Sequence, residues 1–153
     1  VINDKPSSGM EILSLLNELR DTSYPKGSIV NKDIKEIYLS AVVKSIDIKG
    51  DKKFKIVLDS GNGVAGSIAP ELFKRIGCEV IELFSEVDGN FPNHHPDPSK
   101  EENIQDLIKC VLDNNADLGL AFDGDGDRVW LLTDAGENIF PDKLMMMLSE
   151  SIL

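Results

Sequence analysis

The order of apolar segments and turns constrains the fold of this chain more than any other feature of its sequence. The short, nearly continuous apolar run Phe54–Leu58 is typical of a strand that is buried on both faces. A glycine-rich turn follows it, then a predicted helix over 67–76 and a second strand over 79–84. Two strands joined through a helix pair in parallel. The sequence therefore predicts a parallel sheet.

The same alternation continues along the chain. A helix is predicted over 101–115 and a third strand over 117–122. A fourth strand, 129–133, follows too closely for a crossover, so it must pair antiparallel with the third. The order β-α-β-α-β-β predicts a three-layer α/β/α sandwich with a mixed, mostly parallel four-stranded sheet. Ile139 and Phe140 are a candidate extension of the pairing.

Further helices are predicted before and after this block. Ser7 or Ser8 can cap a first helix, and Asn31 is predicted to cap a second. Met145–Met147 are predicted to lie on the core face and rim of a closing helix. The inward face of the second helix is predicted from its helical spacing to carry Ile34, Ile37, Tyr38, Ala41, Val42 and Ser45.

An acidic run, Asp123-Gly124-Asp125-Gly126-Asp127-Arg128, directly follows the third strand. Three carboxylates that close repel one another unless a cation lies among them. Glycine allows the backbone to wrap around a point, and hard oxygen ligands suit Mg²⁺ or Ca²⁺. In parallel sheets ligands bind at the carboxyl ends of the strands, which favours a metal site here. A simple Asp-Gly hairpin turn with solvated charges is the alternative.

Two other interpretations, one of a glycine-rich segment and one of the acidic run, remain open. The segment Gly61–Gly66 matches G-x-G-x-x-G between a strand and a helix, and Glu82 follows at the distance of a ribose-binding acid, as in a dinucleotide-binding domain. Asp59 and Ser60 lengthen the turn, so a strand-to-helix turn that needs glycine is the simpler interpretation. The acidic run with Asp134 also fits a calcium-binding loop, although an arginine stands where that loop requires glycine.

Composition narrows the class of protein. The net charge of −11 argues against nucleic-acid or anionic-membrane partners, and no apolar run approaches the roughly 20 residues of a membrane span. Cys78 and Cys110 lack metal-ligand spacing and are predicted to be reduced core thiols of a cytoplasmic protein. His94 and His95 lack a third well-spaced ligand, so they are predicted to lie in a rigid, proline-braced loop that bonds its own backbone.

Taken together, four separated segments resemble the second domain of the α-D-phosphohexomutases. The resemblance runs from about residue 30 to the end, and Pro141-Asp142 is similar to the phosphomannomutase/phosphoglucomutase branch. It implies that residues 1–29 are the tail of a first domain with its linker and that residues 30–153 are the second domain. The segments are Asp59–Gly66, Glu86–Pro98, Ala116–Arg128 and Ile139–Leu144.

The resemblance also implies a chemistry. Such enzymes have four domains around one cleft, and a phosphoserine of the first domain exchanges its phosphoryl group with a hexose phosphate through a bisphosphorylated sugar. Mg²⁺ bridges that phosphoserine and three aspartates, which match Asp123, Asp125 and Asp127 here. Arg128 matches the arginine that steers phosphoryl oxygens near the metal.

Several motifs of the family pattern are absent from the sequence. The Thr-Ala-Ser-His-Asn-Pro loop that carries the nucleophile does not occur in these residues, nor do the recognition loops of the third and fourth domains. The chain opens on Val1-Ile2 and is expected to be a fragment whose partners are those missing domains. By itself it is expected to be inactive.

Overall fold

The computed structural model describes residues 7–19, 27–46 and 52–152, and the chain divides into two compact units, Val1–Asp33 and Ile34–Leu153. The first unit contains one described helix, α1, Gly9–Leu19. Ser8 Oγ accepts the N–H of Glu11 at 3.3 Å, while the Glu11 carboxylate accepts the N–H of Ser8 at 2.7 Å. This reciprocal capping box makes Ser8 the cap residue of α1.

The second unit contains all the described strands. Short 3₁₀ turns, Val64–Ser67 and Glu101–Ile104, lead into α3 and α4. None of the described helices is long and apolar enough to cross a membrane. The elements in chain order are α2 Lys35–Ser45, β1 Lys55–Asp59, α3 Ala69–Arg75, β2 Glu79–Leu83, α4 Gln105–Asn114, β3 Leu118–Phe122, β4 Val129–Thr133, β5 Asn138–Ile139 and α5 Pro141–Ile152.

The strands form a single mixed sheet in the order β2-β1-β3-β4-β5. β1 pairs in parallel with β2 and β3, whereas β4 pairs antiparallel with β3 and β5. The sheet therefore has five strands rather than the predicted four, because Asn138 and Ile139 pair with Leu132 and Leu131 of β4. The predicted extension is displaced by one residue, and Phe140 lies outside the pairing.

Helices cover both faces of this sheet. Val57 belongs to a buried cluster with Leu107 and Val111 of α4. Its neighbours Ile56 and Leu58 point to the other face and belong to a cluster with Ala69 of α3. Successive strand residues alternate between faces, so this central strand is buried on both sides, as its continuous apolar run predicted. The three-layer α/β/α architecture is confirmed.

The predicted inward faces of two helices are wrong. α2 begins after Ile34, without a cap from Asn31, and its one fully buried residue is Leu39, while Ile37 and Tyr38 are exposed. Apolar residues occupy several sides of this helix, so spacing alone did not identify the side that is buried. In α5 the side chains of Met145–Met147 are exposed rather than part of a core.

The two cysteines are free, and each packs against one of the two buried clusters. Burial raises the pKa of both the Cys78 and the Cys110 thiol. A raised pKa keeps a thiol protonated and unreactive at neutral pH. This agrees with the prediction of reduced thiols that pack against the core.

Candidate metal centre

The acidic run forms the loop between β3 and β4, which we call the metal loop, residues 123–128. The chain leaves β1 towards one side to form β2 and returns on the other side to form β3. The carboxyl ends of β1 and β3 therefore flank the point at which the strand order reverses. Crevices at such points are where open α/β sheets bind ligands.

The three aspartates of the metal loop converge as the sequence predicted. Each of Asp123, Asp125 and Asp127 offers one carboxylate oxygen, and these oxygens all lie within 4.8 Å of one another. Asp123 is buried at the base of the loop, and the other two are exposed. Gly126 has a φ of +73°, and its N–H donates to the carbonyl oxygen of Asp123 at 3.1 Å. This left-handed turn, which glycine adopts without strain, folds the loop back on itself.

Arg128 holds both oxygens of the buried carboxylate. Its backbone N–H donates to Asp123 Oδ1 at 3.0 Å, and its Nε donates to Asp123 Oδ2 at 2.7 Å. The same Nε lies 3.6 Å from Asp127 Oδ1. The side chain is 58% exposed, so the end of the guanidinium is accessible to solvent. Arg128 thus orients one carboxylate of the cluster with a single side-chain nitrogen.

The charges of the cluster are incompletely balanced. Burial by itself raises the pKa of Asp123, but the hydrogen bonds from the backbone and side chain of Arg128 outweigh it and lower that pKa. The negative charge of Asp125, followed by the neighbouring Asp123, raises the pKa of Asp127. A divalent cation would relieve this repulsion, and carboxylate oxygens are the donors that Mg²⁺ prefers. The donor set therefore fits the predicted ion.

The loop after β1 supports the metal loop from one side. The N–H of Val64 donates to the carbonyl oxygen of Gly124 at 3.1 Å. A Cβ atom placed on Gly63 would lie 2.8 Å from that same oxygen. This distance is shorter than the contacts that Cβ atoms make in proteins. Gly63 is therefore required for the close approach of the two backbones.

Asn62 connects the loop after β1 to the long loop 85–100. Its Nδ2 donates to the carbonyl oxygen of Glu86 at 2.8 Å, and its Oδ1 accepts the Nδ2 of Asn93 at 2.7 Å. The residue is buried and has a φ of +59°, a conformation that asparagine tolerates better than most side chains. The sequence pattern indicates Asn62 only as part of a glycine motif and does not predict this role.

His94 joins the long loop to the end of β1. Its Nε2 lies 3.1 and 3.2 Å from the two carboxylate oxygens of Asp59, and its Nδ1 lies 3.0 Å from the carbonyl oxygen of His95. Burial raises the pKa of Asp59, and the charge of His94 opposes that rise. The contact with its own loop agrees with the prediction for this histidine. The pairing with Asp59 was not predicted.

Comparison with known proteins assigns this arrangement to a family. The family profile described as phosphoglucomutase/phosphomannomutase, alpha/beta/alpha domain II, matches residues 36–136. The chain belongs to the phosphoglucomutase/phosphomannomutase family. The matched residues include the whole metal loop and both loops that support it, as the resemblance of the sequence motifs implied.

Relatives in this family are much longer than the chain. It is 49% identical over 145 residues to a phosphomannomutase/phosphoglucomutase from Pseudomonas putida, a match that covers 94% of this chain and 31% of the relative. It is 48% identical over 128 residues to a phosphoglucomutase from Neisseria gonorrhoeae, covering 84% of this chain and 27% of the relative. The chain thus spans about a third or less of the length of these relatives.

Solved structures agree with the family assignment. A phosphoglucomutase/phosphomannomutase family protein from Burkholderia thailandensis superposes with a TM-score of 0.81 at 44% identity, covering 95% of this chain and 32% of that one. A putative phosphomannomutase from Thermus thermophilus superposes with a TM-score of 0.73 at 20% identity, covering 95% and 35%. The second likeness shows the fold alone.

The glycine motif of this family member serves packing rather than a dinucleotide. A Cβ atom on Gly66 would collide with the backbone of Ser85, and one on Gly63 would collide with the metal loop. In a dinucleotide-binding turn the pyrophosphate approaches the second glycine, and here the backbone of Gly124 occupies that side of Gly63. In addition, α3 begins only at Ala69, beyond a 3₁₀ turn, so the α-helix that follows the motif does not start at its glycines. These features weigh against the dinucleotide-binding alternative.

The geometry also weighs against a calcium-binding loop of the helix-loop-helix kind. Strands β3 and β4 flank the metal loop, not helices. Asp134, the candidate twelfth ligand, follows β4 and is separated from Asp123 by the length of a five-residue strand, roughly 17 Å. Within the described parts of the chain, the acidic cluster at the metal loop comprises three aspartates and does not include Asp134.

A cavity beside the metal loop is unsuited to a sugar phosphate. It has a volume of about 280 Å³, and Asp125 and Gly126 are among the residues that line it. Its lining is mostly apolar and includes no lysine or arginine. Phosphate recognition normally requires such cations or a cluster of backbone N–H groups. The lining of this cavity therefore lacks the usual chemistry of a sugar-phosphate pocket.

Proposed function

We propose that the chain is the metal-binding domain of a phosphomannomutase/phosphoglucomutase and that Asp123, Asp125 and Asp127 bind Mg²⁺. The observation that carries this proposal is the convergence of three carboxylate oxygens within 4.8 Å at the ligand-binding edge of the sheet, in a member of this family. Residues 30–153 form this domain, and residues 1–29 are the tail of a preceding domain with its linker. The division of the chain into two compact units after residue 33 supports that boundary.

The whole enzyme, on this proposal, transfers a phosphoryl group between C1 and C6 of a hexose phosphate through a phosphoserine and a bisphosphorylated intermediate in the cytoplasm. The names of the relatives support this reaction, and their greater length leaves room for the domains that would carry the phosphoserine and bind the sugar. Those domains are the partners of this one. When bound, Mg²⁺ neutralises charge on the transferring group.

The residues of this domain have separate tasks. Arg128 fixes the orientation of Asp123 through Nε, so this carboxylate is preorganised before an ion binds. Asp125 and Asp127 complete the oxygen set from the exposed side of the loop. The terminal nitrogens of the Arg128 guanidinium then donate to phosphoryl oxygens, a geometry that arginine suits through its planar fork.

Metal titration of the full 153-residue chain tests the proposed site. Mn²⁺, followed by electron paramagnetic resonance, replaces Mg²⁺ as the probe. We expect Asp125→Asn and Asp127→Asn to weaken binding at least by the roughly 10–100-fold that loss of an outer-shell partner costs. Asp134→Asn is the matched control, an exposed aspartate after the next strand, and should leave the affinity unchanged. A large loss in the control, or none in the two variants, would contradict the proposal.

A second test adds inorganic phosphate as a further ligand of the bound ion. With three protein ligands the dissociation constant for Mg²⁺ should be on the order of a millimolar, as in loose oxygen sites. Inorganic phosphate should tighten binding, because its oxygens supply further ligands next to Arg128. The chain should show no turnover of glucose 1-phosphate or mannose 1-phosphate, since it lacks the nucleophile loop. Ca²⁺ binding below about a micromolar would instead favour a calcium-binding module.

A further inference from the structure

We propose that Asp59, His94 and Pro96 form a brace that positions the metal loop, and that they are therefore positioning residues for metal binding. The inference rests on the proposed function, because it concerns the affinity of the same site. None of the three residues belongs to the metal loop. Each acts through contacts between loops that follow different strands.

Pro96 is the member of the brace that touches the metal loop. It is buried between two glycines, Gly61 of the loop after β1 and Gly124 of the metal loop. A Cβ atom on Gly61 would lie 3.1 Å from Pro96 Cβ, and one on Gly124 would lie 3.3 Å from Pro96 Cγ. Both distances are tighter than ordinary contacts, so the proline ring occupies the gap between the two loops. A Cβ atom on Gly124 would also lie 3.8 Å from Phe91 Cζ.

His94 fixes the position of that proline. The imidazole has an acceptor at each nitrogen, the Asp59 carboxylate at Nε2 and the carbonyl oxygen of His95 at Nδ1. The side chains of His94 and Asp59 are only 15% and 1% exposed. Removing one member of such a buried pair leaves the other uncompensated, so the pair holds the loop firmly to the end of β1.

The same geometry weighs against a proton-transfer role for the pair. Both ring nitrogens of His94 are engaged within the protein, one by a carboxylate and one by a backbone carbonyl. Asp59 in addition accepts the N–H of Gly61 at 2.9 Å. Neither group presents a free proton donor or acceptor to a substrate, so a positioning role accounts for the contacts.

The metal loop needs support from neighbouring loops because repulsion between its three carboxylates disfavours the conformation that brings them together. Three carboxylate oxygens within 4.8 Å repel one another, and two of the side chains are exposed. Pro96 on one side and the Val64 N–H on the other confine Gly124, which lies between two of the ligands. A site whose ligands are held close before the ion arrives binds it more tightly, since less ordering is required on binding.

Mn²⁺ titration of variants of the full chain, at a temperature where each is folded, tests the brace. We expect His94→Ala to weaken Mn²⁺ binding about tenfold, the lower end of the range for outer-shell losses. His94→Gln retains a donor for Asp59 and should recover part of the affinity. His95→Ala is the control, because this neighbouring histidine is exposed and, among the described residues, its side chain makes one ring contact, with Phe91.

The outcomes separate the brace from the metal site. If wild-type chain and Asp125→Asn bind Mn²⁺ equally, the metal site itself is refuted, and the brace with it. If Asp125→Asn weakens binding but His94→Ala and His95→Ala match the wild type, the brace alone is refuted. Should His94→Ala fail to fold, Pro96→Ala decides, because it removes only the ring between the two glycines and is expected to weaken binding severalfold. Unchanged affinity in Pro96→Ala would then refute the brace.

Discussion

Replacing Gly119 by alanine tests how closely α4 packs on the strand that leads into the metal loop. Gly119 is buried in β3, and an added Cβ atom would lie 2.8 Å from Val111 Cγ2 and 3.1 Å from Leu107 Cδ1. At 2.8 Å from the new Cβ atom, the Val111 side chain or the strand must move. Valine in a helix has few alternative rotamers, so the side chain cannot simply turn away. Overpacking of this kind costs about 1–3 kcal/mol.

The same substitution also has a stabilising effect, which is smaller than the cost of overpacking. Alanine restricts the unfolded chain, which favours the folded state by about 0.4–1 kcal/mol where the backbone conformation permits, as it does at this non-left-handed glycine. The overpacking outweighs it, so we expect Gly119→Ala to lower the free energy of unfolding by about 0.5–2 kcal/mol. With a urea m-value of about 2 kcal/mol/M the midpoint falls by roughly 0.3–1 M.

Urea unfolding followed by Trp130 fluorescence measures this loss, because the single tryptophan lies buried on β4 opposite Ala121. Gly89→Ala is the control, since nothing lies within 4 Å of that position. Val111→Ala removes the atom in closest contact, so the double variant should lose about 1 kcal/mol less than the sum of the single ones. A Gly119→Ala protein as stable as the wild type, or additive losses, would refute the proposed fit between α4 and β3.

Three further predictions follow from other contacts. Gly66→Ala drives a methyl group into the backbone of the loop after β2, so we expect a loss of about 3 kcal/mol or more, measured as a fall in the thermal midpoint; a midpoint within a few degrees of the wild type would contradict this. Hydrogen bonds from Arg75 lower the pKa of Glu36 to about 2, so Arg75→Gln should raise it towards 4.5 in a carboxylate NMR titration. Because that pKa is lowered on folding, its contribution to stability is present above pH 4.5 and disappears as the pH falls through about 2. Arg128→Ala removes the hydrogen bond that orients Asp123 and should weaken Mn²⁺ binding by up to about fivefold, the scale of an exposed ion pair, while abolishing the enhancement by phosphate; an unchanged or higher Mn²⁺ affinity would show that the arginine does not preorganise this carboxylate.

The strands and the metal loop could be predicted because their signals are local. The run at β1 is apolar at successive positions, which only a strand buried on both faces requires, and the order of strands and helices then determines which pair in parallel. The acidic loop follows a strand directly, so its place at the sheet edge followed from the architecture.

The predictions failed where one sequence pattern is compatible with more than one arrangement of a helix, a strand or a side chain. In α2 apolar residues lie on more than one side, and the residue that is fully buried is Leu39 rather than Ile37 or Tyr38. The short β5 was only a candidate, because two residues carry no periodicity. The pairing of Asp59 with His94 joins the end of β1 to a side chain 35 positions further on in an irregular loop, for which neither spacing nor propensity gives a signal.

The antiparallel pairing of β3 with β4 has a consequence for the entropy of ion binding. Pairing of Phe122 with Val129 closes the six-residue metal loop at its base, and the N–H of Asp123 donates to the carbonyl oxygen of Arg128 at 3.2 Å. The freedom lost on closing a loop increases with its length, by about 0.6 kcal/mol for each doubling. Ligands from one short hairpin are therefore ordered when the sheet forms, whereas ligands from distant segments would still have to be brought together by the ion. The amide protons of Asp123 and Gly126 should accordingly exchange slowly with solvent even before any metal is added.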